Sequence, residues 1–163
     1  MKFLLKIMII GVVPLFVFIG CGQPTVPKNQ LVYSKIIQHN KNSNEAFEFS
    51  KMWLANAFVD SKSVIEYENK DNFTIIGKGI IPKVYYGLTI YGDTKFTITI
   101  QNKNNRTKIT LDNIKIETYD NINGTLKYDM WNQKQFNYFS IEADKLLTSF
   151  KSSLSKKTLN DNW

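Results

Sequence analysis

The stretch from Thr94 to Glu117, TKFTITIQNKNNRTKITLDNIKIE, alternates apolar and polar side chains on both sides of a polar centre. Successive side chains of a strand point to opposite faces, so this period of two selects a hairpin with one buried face. Phe96, Ile98 and Ile100 fall on one face, and Lys95, Thr97, Thr99 and Gln101 on the other. Asn102 to Arg106 reads as the turn, after which Ile109 and Leu111 alternate with Lys108, Thr110 and Asp112. At Asp112-Asn113 the apolar phase moves by one residue, to Ile114 and Ile116. A one-residue shift in a period of two predicts a bulge or a strand end there.

The remaining elements follow from the same kind of pattern. Gln30 to Asn40 is rich in β-branched and aromatic residues without a helical period and reads as a strand. Val64 to Glu68 and Phe73 to Ile81 read as a second hairpin, turned by Asn69-Lys70-Asp71-Asn72 and ended by Pro82. Between these lies a helix, with Ser43 or Asn44 as its cap and Glu45 and Glu48 in its first turns against the dipole. Ala46, Phe47, Phe49, Trp53, Leu54, Ala57 and Phe58 form its apolar face. A second amphipathic helix sets Phe136, Phe139, Ala143, Leu146, Leu147, Phe150 and Leu154 on one side. The order is strand, helix, four strands, helix (β-α-β-β-β-β-α). This predicts an α+β two-layer domain, an antiparallel sheet with both helices packed on one face and the other face open.

Several of these stretches together resemble a known family. KMWLANAF, SKSVIEYENKDNFTIIGKG, the hairpin above and the final NDNW are similar to the bacterial domain of unknown function described as having a TBP-like fold, after the TATA-binding protein. The resemblance covers residues 29–157 and is strongest from Trp53 to Gly79. It implies a TBP-like fold and the company of secreted proteins and lipoproteins of Gram-negative bacteria. It implies no catalytic residues and no DNA binding, since a fold does not set function.

The first residues speak to compartment. Lys2 and Lys6 precede an uncharged, apolar run from Ile7 to Ile19. As a helix that run spans roughly 20 Å, short of the roughly 30 Å of a bilayer core. A charged start, a short apolar run and a small residue before a break describe a secretory signal. The break, Phe18-Ile19-Gly20-Cys21, resembles the bacterial lipoprotein signal, with Phe18 in place of the usual Leu. That resemblance implies cleavage after residue 20 and a lipid on Cys21, the chain's one cysteine. Lipidation also removes a free thiol from an oxidising compartment. Two or three acyl chains would anchor stably where one binds marginally. Gly22 after the cysteine leans towards the outer membrane by the usual sorting resemblance. Residues 21–29 read as a flexible tether, 30–157 as the TBP-like domain and 158–163 as a tail.

Composition narrows the partners. Without Lys2 and Lys6, 19 of the 21 basic residues face 14 acidic ones, a net +5. Such a balance suits phospholipid head groups or another acidic polymer, and export disfavours nucleic acid. One cysteine and one histidine cannot build a structural zinc site. ENKDN at Glu68 to Asn72 lacks the spacing of a calcium loop. His39 has neither a nucleophile nor an orienting partner nearby in sequence and reads as a polar strand end. Gly77-Lys78-Gly79 lies within a strand, where glycines let a helix approach closely rather than cradle phosphate. Glu66 and Glu68, two apart on a strand, should share a solvated face.

The open sheet face is therefore the expected working surface, with Lys78, Lys95 and Lys108 among threonines and with Tyr85 and Tyr86 flanking it. The expected protein is a lipid-anchored domain of the cell envelope, facing the periplasm from the outer membrane. Its membrane contact runs through the lipid on Cys21. It is expected to bind an envelope protein or acidic polymer without catalysis, metal or cofactor. The alternatives are a small-ligand site between the tyrosine segment and the sheet, or a hydrolase using Glu66, Glu68 or Asp112.

Overall fold

The computed structural model describes residues 26–58, 65–85, 91–120, 124–129 and 132–155. Cys21, Tyr86 and the C-terminal tail lie outside the described residues. After a 3-10 turn at Lys28–Gln30 come β1 (Tyr33–Gln38), α1 (Ser43–Ala57), β2 (Ile65–Asn69), β3 (Thr74–Tyr85), β4 (Tyr91–Lys103), β5 (Arg106–Asp120), β6 (Gly124–Asp129) and α2 (Gln133–Ser155). All pairings are antiparallel, in the order β1-β5-β4-β3-β2. The fold is the expected open α+β sheet with two helices, with one strand more than the sequence pattern suggests. β4 pairs along one edge of β5, while β1 takes the first half of the other edge (Arg106 to Leu111) and β6 the second (Lys115 to Asp120). GTLKYD alternates Leu126 and Tyr128 with Thr125, Lys127 and Asp129, but two apolar positions are too short a run to mark a strand in the sequence.

The central hairpin turns at Asn104-Asn105, tighter than the sequence suggests, and Asn105 takes a left-handed φ of 64°. The expected phase shift is a bulge: Lys95 pairs Lys115 but Thr97 pairs Asp112, which leaves one extra residue on β5. Asn113 sits there at φ 49°, a conformation Asn tolerates better than most residues. Pro82 does not end β3. The strand continues to Tyr85 through a second bulge between Ile81 and Val84, where Lys83 has φ 56° and its N–H donates to Asp93 Oδ1 at 3.0 Å. β2 pairs no farther than Gly77, so among the described strands Pro82 faces only β4, and its missing N–H is tolerated.

Helix α1 begins one residue earlier than expected. Asn42 caps it, accepting from Glu45 N–H at 2.9 Å while Glu45 Oε2 accepts from Asn42 N–H at 3.1 Å, a reciprocal box. Both helices lay their apolar stripes on the same face of the sheet. Phe47, Trp53, Leu54 and Phe58 from α1 and Phe139, Ala143, Leu147 and Phe150 from α2 join Ile75, Phe96, Ile98, Ile100, Ile109, Leu111 and Ile116 in one buried core. Gly79 makes that approach possible. A Cβ there would lie 2.6 Å from the Phe96 ring and 3.1 Å from the Phe58 ring, and both rings are buried. Gly79→Ala should destabilise the fold by about 1–3 kcal/mol, because neither ring can retreat. Lys78→Ala on the opposite face should stay within about 0.5 kcal/mol. Urea unfolding of both variants compares them.

One polar chain crosses this core. His39 Nδ1 accepts from Lys41 N–H at 3.2 Å, and Nε2 lies 3.0 Å from Thr107 Oγ1. Thr107 donates in turn to Asn102 Oδ1 at 2.8 Å, and the buried Ser50 hydroxyl lies 3.1 Å from the same oxygen. Asn102 Nδ2 donates to the Phe73 carbonyl at 3.2 Å. His39 does end its strand, but it also joins the β1–α1 connection to the β4–β5 turn, where its N–H donates to the Asn105 carbonyl at 3.0 Å. Only the neutral ring fits these partners, and burial, with the Lys41 charge behind it, pulls the imidazole below its usual 6.5. The folded chain thus binds fewer protons than the unfolded one just below pH 6.5, and stability rises with pH there. The melting temperature should be flat above pH 6.5 and fall as pH drops from 6.5 towards the lowered folded value. His39→Gln should remove that slope in thermal melts.

Candidate functional site

The face away from the helices is built in cross-strand rows. Ile36, Lys108, Gln101 and Thr74 are direct neighbours on β1, β5, β4 and β3. Strands spaced about 4.8 Å apart spread these four side chains over roughly 14 Å. One step nearer the turn, Lys103 stands directly opposite Arg106. These residues, with Asn72 and Asn102, line a concavity of about 540 Å³. No carboxylate belongs to its lining. No ion pair joins Lys103, Arg106 or Lys108 to an acidic side chain among the described residues. Like charges directly opposite on a hairpin are destabilising, so this cluster costs the free fold stability.

The same face is electrically different at its other end. Lys78 is paired with Glu66, and Lys95 with Glu117 at 2.6 Å. Asp112 lies two strands from Lys78, across Thr97, and its partial burial raises its carboxyl above the usual range. Between the two ends lies a neutral row of Ser34, Thr110, Thr99, Ile76 and Tyr67.

The structure puts Lys78, Lys95 and Lys108 on one face, as expected, but does not gather them. At about 3.3 Å per residue, Lys95 lies roughly 20 Å along β4 from Gln101, the partner of Lys108. Tyr85 is 67% exposed at the far end of β3, about 35 Å along the strand from the concavity. Lys108 is thus the expected residue that falls in the unpaired cationic cluster. Lys103 and Arg106 were hidden in what reads as a turn. The available signal was composition: Arg106 is the one arginine among 21 basic residues.

Glu66 and Glu68 do not share a face. A bulge between Ile65 and Tyr67 turns Glu66 to Lys78 on the open side, while Glu68 reaches Lys51 of α1 at 2.8 Å on the helix side. Both are well exposed, so the sheltered acid pair that a hydrolase would need is absent at this place. A single carboxylate, Asp144, ties α2 to β1. Asp144 of α2 accepts from the Tyr33 hydroxyl and from Lys35 of β1. Lys35 and Tyr33 hold its carboxyl below the usual range, and burial with that carboxylate pushes the Tyr33 phenol up. Among the described residues, no three His, Cys, Asp or Glu side chains converge as metal ligands. None of the described helices is long and apolar enough to cross a membrane.

The fold is shared with solved structures. A DUF4468 family protein from Bacteroides ovatus superposes with a TM-score of 0.60 at 15% identity, over 83% of this chain and 93% of the other. A TBP-like protein from Parabacteroides distasonis does so with a TM-score of 0.60 at 17% identity, over 78% and 94%. No curated protein matches the sequence. Residues 33–117, from the start of β1 through the bulged half of β5, match the family described as a domain of unknown function (DUF4468) with TBP-like fold. The chain belongs to this family.

Proposed function

We propose that this protein is a non-catalytic binding module of the cell envelope, anchored by lipid on Cys21, that receives an acidic partner on the open face of its sheet. The supporting observation is the charge asymmetry of that face. Lys78 and Lys95 are neutralised by neighbouring glutamates, whereas Lys103, Arg106 and Lys108 line a concavity that contains no carboxylate. Unpaired cations around a hollow attract an anionic partner and set its orientation. The helices cannot serve in the same way, because their apolar faces are spent on the core. The envelope placement rests on the sequence from Met1 to Cys21.

Two measurements test this reading. Formaldehyde crosslinking in the native cells, followed by isolation of the full chain and mass spectrometry, should give a specific adduct. Arg106→Glu/Lys108→Glu should reduce it roughly tenfold or more, because like charges then meet the partner. Lys134→Glu on α2 should leave it intact. An adduct indifferent to the double variant would overturn the assignment to this face. Separately, Cys21→Ser should abolish fatty-acid labelling and move the protein out of the membrane fraction. Retention of both would remove the anchor.

A further inference from the structure

We propose that the concavity between β1, β3, β4 and β5 binds the phosphate group of a phosphorylated saccharide or polyol. This rests on the reading of the open face as a binding surface and names the ligand's chemistry. Arg106 supplies the fork of donors that matches a phosphate in two-point geometry, which a lysine cannot reproduce. Lys103 faces it across the hairpin, and Lys108 follows it on the same face of β5. Three cations without an acidic partner match a phosphomonoester, at about −1.5 to −2, better than a single carboxylate at −1.

The rest of the lining is neutral. Asn72, Thr74 and Gln101 offer amide and hydroxyl groups suited to a ligand's hydroxyls. Ile36, 56% exposed, gives an apolar wall for a C–H face. A hollow of about 540 Å³ lies within the range of small-ligand sites and favours a discrete group over a flat membrane surface. The cluster also has the mark of a site kept for binding: the Lys103–Arg106 opposition costs stability that an arriving anion restores.

The test is calorimetric titration of the full chain at low salt with glucose 6-phosphate. Glucose, inorganic phosphate and phosphatidylcholine vesicles with and without phosphatidylglycerol run beside it. Glucose 6-phosphate should bind, inorganic phosphate more weakly, and glucose not at all. Arg106→Lys, which keeps the charge, should weaken binding about tenfold through loss of the fork. Lys103→Gln should weaken binding and yet raise the melting temperature of the free protein by roughly 1–3 °C, a rise no merely structural lysine would give. The proposal is overturned if no phosphate compound binds up to about 10 mM. It is equally overturned if Arg106→Lys binds as tightly as the parent, or if only the anionic vesicles bind. If it fails while Arg106→Glu/Lys108→Glu still loses the cellular adduct, the site takes a macromolecular acid and the binding reading survives. If the adduct is also indifferent, both fail.

Discussion

A continuous run of aromatic contacts ties both helices to one face of the sheet. Phe49 and Trp53 of α1 meet Phe150 of α2, with ring centroids 5.4 and 5.0 Å apart. Trp53 passes to Phe58 at 6.0 Å, Phe58 to Phe96 of β4 at 6.2 Å, and Phe96 to Phe139 of α2 at 6.0 Å. Phe139 then meets Tyr33 of β1 at 6.5 Å. Most of these pairs are edge-to-face, the arrangement that ring quadrupoles favour, each adding about 0.5–1.5 kcal/mol beyond its buried area. The chain runs through the core, and its polar atoms are partnered, the Trp53 indole N–H donating to Ser149 Oγ at 3.3 Å and the Tyr33 hydroxyl to Asp144. Because it commits both helices to the same side, the other side of the sheet has nothing of this chain's described residues to cover it.

That imbalance shapes the chemistry of the open face. A two-layer domain that buries one sheet face must keep the other wet, and threonine, serine and paired charges do so along most of it. The exception lies at the β4–β5 turn, where charge is left unbalanced. The turn itself is held firmly: Asn105 N–H donates to the Lys41 carbonyl at 2.9 Å, and Asn104 Oδ1 accepts from Ser43 N–H at 2.9 Å. The His39–Thr107–Asn102 chain lies directly beneath it. The cationic side chains therefore project from rigid backbone, which suits recognition better than a mobile loop.

How much of this was legible in the sequence depended on what periodicity can carry. The alternation from Phe96 to Leu111 announced the hairpin, its buried face and, by its phase shift, the bulge at Asn113. The helical spacing of Phe139, Ala143, Leu147 and Phe150 announced α2 and its face. β6 was not legible, because Leu126 and Tyr128 supply only two apolar steps of a period of two. The split of Glu66 from Glu68 was hidden too, since a bulge reverses the parity on which a same-face argument depends. Asn102 and Ser50 look like surface residues in the sequence but are buried by tertiary hydrogen bonds, which no local pattern reports. The open face was legible as a face. Its charge balance was not, because whether a lysine is neutralised depends on register between strands far apart in sequence, as with Lys95 and Glu117.

The central claim is that the uncovered sheet face, and not the helical layer, is the working surface. A photo-crosslinking amino acid placed at Thr110 on that face, or at Ile141 on the outside of α2, addresses it directly in living cells. The account predicts a discrete adduct from position 110 and none from position 141. Adducts from position 141 with none from 110 would contradict it and move the function to the helices.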